Sequence, residues 1–170
     1  MTFQSYTYRL VLGERGGKRC VLAKEQNDLP VNFSSPVTDT GKTKIYVLYD
    51  EKEVVYVGHT IQSIGQISVR THGKYNYPWL KDESRSAIWL TVFLINPPDV
   101  CTVDGNDEET KQLTKNYGEA VEAELVYLVR NETGKWPSGQ HEVHFRNDYL
   151  VANEVATELY KSLPSFSEHP

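Results

Sequence analysis

Two short apolar stretches separated by four polar residues constrain this chain most. Lys44-Ile45-Tyr46-Val47-Leu48-Tyr49 and Val54-Val55-Tyr56-Val57 are rich in β-branched and aromatic residues, and Asp50-Glu51-Lys52-Glu53 lies between them. That pattern predicts an antiparallel hairpin whose second strand ends at Gly58. Side chains alternate along a strand, so Tyr46 shares a face with Leu48, while Ile45, Val47 and Tyr49 share the other. Tyr56 stands near the end of its strand, so pairing can make the two tyrosines neighbours. Gly58 lets the backbone pass closely around whatever binds there.

Other segments read in the same terms. Residues 7–12 and 18–22 predict an N-terminal hairpin with the turn Gly13-Glu14-Arg15-Gly16-Gly17. Those glycines are read as a turn and not a phosphate loop, because no Lys-Ser/Thr and no helix follow. Residues 26–42 are rich in Pro, Asn, Ser, Asp and Thr and read as a loop or linker. A helix is expected over residues 61–72, weakened by Gly65 and ended by Gly73. Residues 88–95 form a run that is apolar except at Thr91, before Asn96-Pro97-Pro98, the signature of a buried strand. Residues 106–131 give the clearest helix: Asn106 and Glu109 fit a capping box, and Leu113, Tyr117, Val121, Leu125, Leu128 and Val129 form its apolar stripe. Residues 149–163 predict a last amphipathic helix, stopped by Pro164. Hairpins followed by helices imply an α+β fold, a small and mostly antiparallel central sheet flanked by helices, with the N-terminal hairpin as an addition.

Composition narrows the class. The chain has 170 residues, 39% hydrophobic and 24% charged, which suits one folded domain. It contains no apolar run of the roughly 18 residues that spanning a bilayer requires. Met1-Thr2-Phe3-Gln4-Ser5 lacks the basic-then-apolar signature of a signal peptide, so a cytoplasmic location is expected. Cys20 and Cys101 are too few and too far apart for a zinc cluster. The formal net charge is −5, unevenly spread: residues 1–90 hold 12 Lys/Arg against 9 Asp/Glu, and residues 91–170 hold 6 against 14. The basic excess of the first half suits a phosphate-bearing partner, although an acidic solvated tail region explains the asymmetry equally well.

The candidate chemical groups are individually weak. Two tyrosines in a hairpin are more often packing residues than reactive ones. Arg70 closes the first expected helix, with His72 and Lys74 just beyond. An arginine there can hold a phosphate through two parallel hydrogen bonds, but a helix end also favours cations by itself. Glu122 lies on the side of its helix that carries Leu125, Val126 and Val129, where a carboxylate needs a partner or a metal. Glu119 and Glu124 lie further round. One carboxylate with waters and phosphate oxygens makes an ordinary Mg²⁺ site.

Taken together, these residues resemble the GIY-YIG endonuclease family. Its first motif corresponds to Lys44-Ile45-Tyr46, with Lys in place of Gly, and its second to Tyr56-Val57-Gly58. The family's helical arginine matches Arg70, and its glutamate, followed by apolar residues three and four positions on, matches Glu122 with Leu125-Val126. The resemblance covers residues 43–147, leaving residues 1–42 as hairpin and linker and 148–170 as C-terminal helix and tail. The gap from Tyr56 to Arg70 is longer than usual. The family's later asparagine is missing, and Gln140 supplies an amide instead, in the closing turn Gly134-Lys135-Trp136-Pro137-Ser138-Gly139-Gln140.

The resemblance implies a metal-dependent endonuclease, of restriction type or freestanding, that hydrolyses DNA. Tyr46 would act on the attacking water, with Arg70, His72 or Lys74 lowering its pKa from about 10. Arg70 would stabilise the transition state, Tyr56 would orient phosphate or water, and Glu122 would hold Mg²⁺ or Mn²⁺. His59 and Gln140 are candidate helpers. Arg9, Arg15, Lys18 and Arg19 are candidate DNA contacts on the N-terminal hairpin. One site per chain suggests a homodimer for duplex cleavage. The alternative reading is a non-catalytic nucleic-acid-binding module of the same fold.

Overall fold

A computed structural model of the chain describes residues 3–65, 80, 82–97, 108–140, 143 and 150–166. Six strands form one antiparallel sheet: β1 (Gln4–Arg15), β2 (Lys18–Gln26), β3 (Leu29–Pro30), β4 (Lys44–Tyr49), β5 (Val54–Thr60) and β6 (Ala87–Leu94). Their order across the sheet is β3-β2-β1-β6-β4-β5. Two helices follow among the described residues, α1 (Glu108–Thr133) and α2 (Leu150–Lys161). The α+β class expected from the hairpins is therefore present.

The largely apolar run becomes β6, which is paired on both sides. It meets β1 from Gln4↔Leu94 to Val11↔Ala87 and β4 from Lys44↔Leu94 to Tyr49↔Trp89. This pairing joins the N-terminal hairpin to the β4–β5 hairpin in a single sheet. A strand covered on both faces loses the polar alternation of a half-buried one, and Ile88, Leu90, Val92 and Phe93 are all at most 2% exposed.

Each face of the sheet has its own core. On one, Ile45, Val47, Val57 and Phe93 pack with Tyr117, Val121 and Leu125 of α1, and with Val155 and Leu159 of α2. On the other, Tyr8, Leu10, Leu48, Val55 and Leu90 pack with Val37, Ile64 and Leu80. Each such side chain contributes about 1.5–3 kcal/mol relative to exposure.

Several local expectations shift. The N-terminal hairpin is longer than expected, and its turn shrinks to Gly16-Gly17, whose φ angles of 61° and 69° build the tight two-residue turn that matches strand twist. Residues 26–42 are not a bare linker. Asn27 and Asp28, at φ 51° and 61°, make a second tight turn into β3, and Phe33 then packs edge-on against Tyr8 at 4.8 Å. Residues 61–65 are not helical, because they are laid along that segment: Gly41 N–H donates to Ile61 O at 2.8 Å and Ile64 N–H to Val37 O at 3.3 Å. The rest of the expected helix 61–72 lies outside the described residues, as does Asn106.

Lys44, which stands where the resembled motif has glycine, is fully buried. Its ammonium donates to the carbonyls of Asp39 (2.5 Å), Gln62 (3.1 Å) and Lys42 (3.3 Å). It thereby ties the segments before β4 and after β5 to one point. Burial pushes its pKa below the ordinary lysine value, the Asp39 carboxylate pulls it back up, and Lys42 adds a smaller push down.

Candidate active site

The β4–β5 pairing sets the tyrosines. Tyr46 faces Gly58 and Leu48 faces Tyr56 across the ladder, so both tyrosines lie on the face away from α1. Their ring centroids are 6.0 Å apart with planes tilted by 34°. Gly58 lies within β5 and does not end it. A Cβ at this position would stand 2.5 Å from the Tyr46 hydroxyl and 2.8 Å from Tyr56 Cε1. Glycine is thus the residue that lets both rings lie over the strand.

His59, the next residue, points the opposite way. It pairs with Ile45, a core residue of the α1 face, and its ring rests on Gly118 of α1, where a Cβ would stand 3.0 Å from Cδ2. Its Nδ1 meets Glu122 Oε2 at 2.5 Å. The two side chains are 16% and 17% exposed, so the pair is largely withdrawn from water.

Gln140 holds the other carboxylate oxygen. Its Nε2 donates to Glu122 Oε1 at 3.4 Å, and its Oε1 accepts from Val57 N–H at 3.2 Å. Beside it, Gly139 N–H donates to Val55 O at 2.7 Å. Val55 and Val57 sit on the sheet's last strand, so the turn after α1 satisfies polar groups on an otherwise open edge. The turn is placed by Gly134 at φ 73°, which ends α1, and by the Ser138 hydroxyl, which donates to Glu53 at 2.9 Å. Glu53 in turn accepts from Arg85 (2.7 Å), which also donates to Asp50 (2.8 Å).

The structure therefore brings the expected residues together in two groups: Tyr46 with Tyr56, and Glu122 with His59 and Gln140. The groups project from opposite faces of the hairpin and share the edge strand β5. The flanking carboxylates are engaged elsewhere. Glu119 lies 3.7 Å from Lys115, and Glu124 accepts from Asn153 of α2 at 2.8 Å. Arg70, His72 and Lys74 lie outside the described residues.

On the N-terminal hairpin, Arg9 pairs with Glu25 at 2.7 Å, and the Arg19 guanidinium donates to the carbonyls of Asp82 and Arg85. Arg15 is exposed beside the turn, and Lys18 opens β2. Gly118 is a site residue that the sequence marks only weakly. Its signal was a glycine inside the strongest helix, which costs about 1 kcal/mol against alanine unless close packing requires it.

Among the described residues no group of three or more His, Cys, Asp and Glu gathers to hold a metal ion. A single carboxylate with both oxygens already oriented by donors still keeps one lone pair on each, and this fits Mg²⁺, which retains several waters and takes few protein ligands. No helix among the described residues is long and apolar enough to cross a membrane. No family model, curated protein or solved structure matches the chain.

Proposed function

We propose that this chain is a metal-dependent endonuclease of GIY-YIG type that hydrolyses DNA phosphodiester bonds at the outer edge of β5. The observation that carries this reading is the environment of residues 56–59. A glycine makes room for two tyrosine rings on one side. The residue after it holds a glutamate that two separate donors orient on the other. Both arrangements sit on one edge strand.

In this reading Tyr46 contacts and positions the attacking water, and Tyr56 orients the phosphate. Arg70 neutralises the charge that develops on the phosphorus oxygens, the step at which fixed donors help most. Glu122 holds Mg²⁺ or Mn²⁺, which when bound supplies charge neutralisation and assistance to the leaving oxygen. Two chains would supply the two sites that a duplex break needs.

Incubating supercoiled plasmid with the purified protein and Mg²⁺ or Mn²⁺ tests this. Nicking or linearisation that is lost in both Tyr46→Phe and Glu122→Ala supports the proposal. Intact plasmid in every metal, with salt-sensitive DNA binding retained, would instead indicate a binding module.

A further inference from the structure

The His59–Glu122 contact says more about His59 than that it is near the site. A carboxylate only accepts hydrogen bonds, so the 2.5 Å bond places the proton on Nδ1. The same logic fixes Gln140. Val57 N–H can only donate, so the amide oxygen faces Val57 and the NH₂ group faces Glu122. Each carboxylate oxygen thus receives one N–H. One donor is a side chain of β5, and the other is an amide anchored on the backbone of β5. The imidazole has little freedom to leave: Ile45 lies across the ladder from it and Gly118 lies against its Cγ–Cδ2 edge.

Two roles would use this bond. The carboxylate can orient the histidine so that Nε2 moves a proton, or the histidine can orient the carboxylate. Position decides between them. His59 projects from the α1 face, whereas Tyr46 and Tyr56 project from the other, so Nε2 is on the wrong side of β5 for a water held by the tyrosines. Glu122 lies on the same face as His59, but its other oxygen is held by a second donor, the Gln140 amide tied to Val57, so it is the carboxylate that this cluster orients.

We infer that His59 is a positioning residue: its Nδ1–H, with the Gln140 amide, fixes the Glu122 carboxylate so that its remaining lone pairs face the scissile phosphate and its metal. This rests on the nuclease reading and assigns His59 a task through Glu122, with no proton transfer at Nε2.

Bond counting supplies the test. An asparagine amide nitrogen lies as far from Cβ as Nδ1, and a glutamine amide nitrogen lies as far as Nε2. His59→Asn keeps the donor to Glu122, and His59→Gln and His59→Ala do not. The expected result is that His59→Asn cleaves DNA within about threefold of the wild type. The other two variants are expected to fall about 10–100-fold, the usual cost of losing a group that orients a metal ligand. Thermal melts of all three confirm folding, and the Asn and Gln variants control for each other. His59→Asn as inactive as His59→Ala, in a folded protein, would overturn the inference and assign the chemistry to Nε2. A readout without cleavage is the imidazole ¹⁵N spectrum. Protonated Nδ1 in the wild type, altered in Glu122→Ala, supports the bond, and the Nε2–H tautomer overturns it. If the wild type cleaves nothing, the nuclease reading fails on its own, and the ¹⁵N spectrum still decides whether His59 donates to Glu122.

Discussion

The ring of Tyr46 lies across Gly58, so closely that a methyl group at Gly58 would stand 2.5 Å from the tyrosine hydroxyl. The two residues face each other in the β4–β5 ladder, and this cross-strand pair determines where both tyrosines can be.

Gly58→Ala is therefore expected to displace Tyr46 or Tyr56. Forcing an extra methyl into such a contact costs about 1–3 kcal/mol. Cleavage should fall further than stability accounts for, because the displaced groups are the tyrosines. Parallel thermal melts and initial cleavage rates check this. Wild-type rates in Gly58→Ala would show that the ring positions do not matter.

Gly118→Ala separates stability from activity differently. Alanine gains about 1 kcal/mol in helix propensity. The new Cβ would stand 3.0 Å from His59 Cδ2 and 3.3 Å from Thr43 Cγ2, so the ring must shift by a few tenths of an ångström. Stability should stay within about 1 kcal/mol of the wild type, since the two effects oppose. The His59–Glu122 bond should lengthen and cleavage should drop. Unchanged cleavage would mean that the imidazole position is not critical.

Gln140→Ala removes the bridge between β5 and Glu122. Loss of these bonds should cost about 1 kcal/mol. The Val57 amide, which donates to Gln140, should exchange with solvent faster, a change that hydrogen-exchange mass spectrometry or NMR can read. Val57 protection equal to the wild type would contradict the bridge.

Much of this was legible because the sequence signal was local. Alternation in Lys44–Tyr49 gave the strand, its two faces and the position of Tyr46. The length and apolarity of β6 gave its burial, and the stripe from Tyr117 to Val129 gave the face of α1. Strand ends are not legible at glycines: Gly13 and Gly58 both lie inside strands, and Gly58 is there because an aromatic ring crosses it. The non-helical course of residues 61–65 depends on hydrogen bonds to residues 37–41, twenty or more positions away in sequence, which no local pattern reports. The same holds for the site. Glu122 stood out by its place beside the apolar stripe and Gln140 by the family resemblance, but the Nδ1 bond from His59 joins residues that are 63 positions apart. Arg9 and Arg19 show the reverse: they were marked by charge, and the fold uses both within the hairpin and its neighbouring loop.

Lys44 offers a pH test with a definite sign. Its folded pKa is depressed by burial, so as pH falls the unfolded chain takes up this proton first, starting near the ordinary value of 10.5. Its contribution to stability is therefore greatest above that value, falls as pH drops through the window below 10.5, and is level once both states are protonated. Urea unfolding of the wild type and Lys44→Met at pH 9 and pH 10.5 should show the wild type gaining on the variant as pH rises. Across the whole range Lys44→Met should be the less stable, because three carbonyls lose their donor. An equal difference at both pH values would contradict the depressed pKa.

In the proposed function, Glu122 serves a metal-dependent phosphodiester cleavage. The most direct measurement is single-turnover cleavage of end-labelled duplex DNA by the wild type and Glu122→Gln, each with Mg²⁺, with Mn²⁺ and with EDTA. Wild-type cleavage is expected in either metal and none in EDTA, with a loss of about 100-fold or more in Glu122→Gln at unchanged melting temperature. Cleavage by Glu122→Gln at the wild-type rate, or intact DNA with the wild type in both metals, would contradict the proposed function.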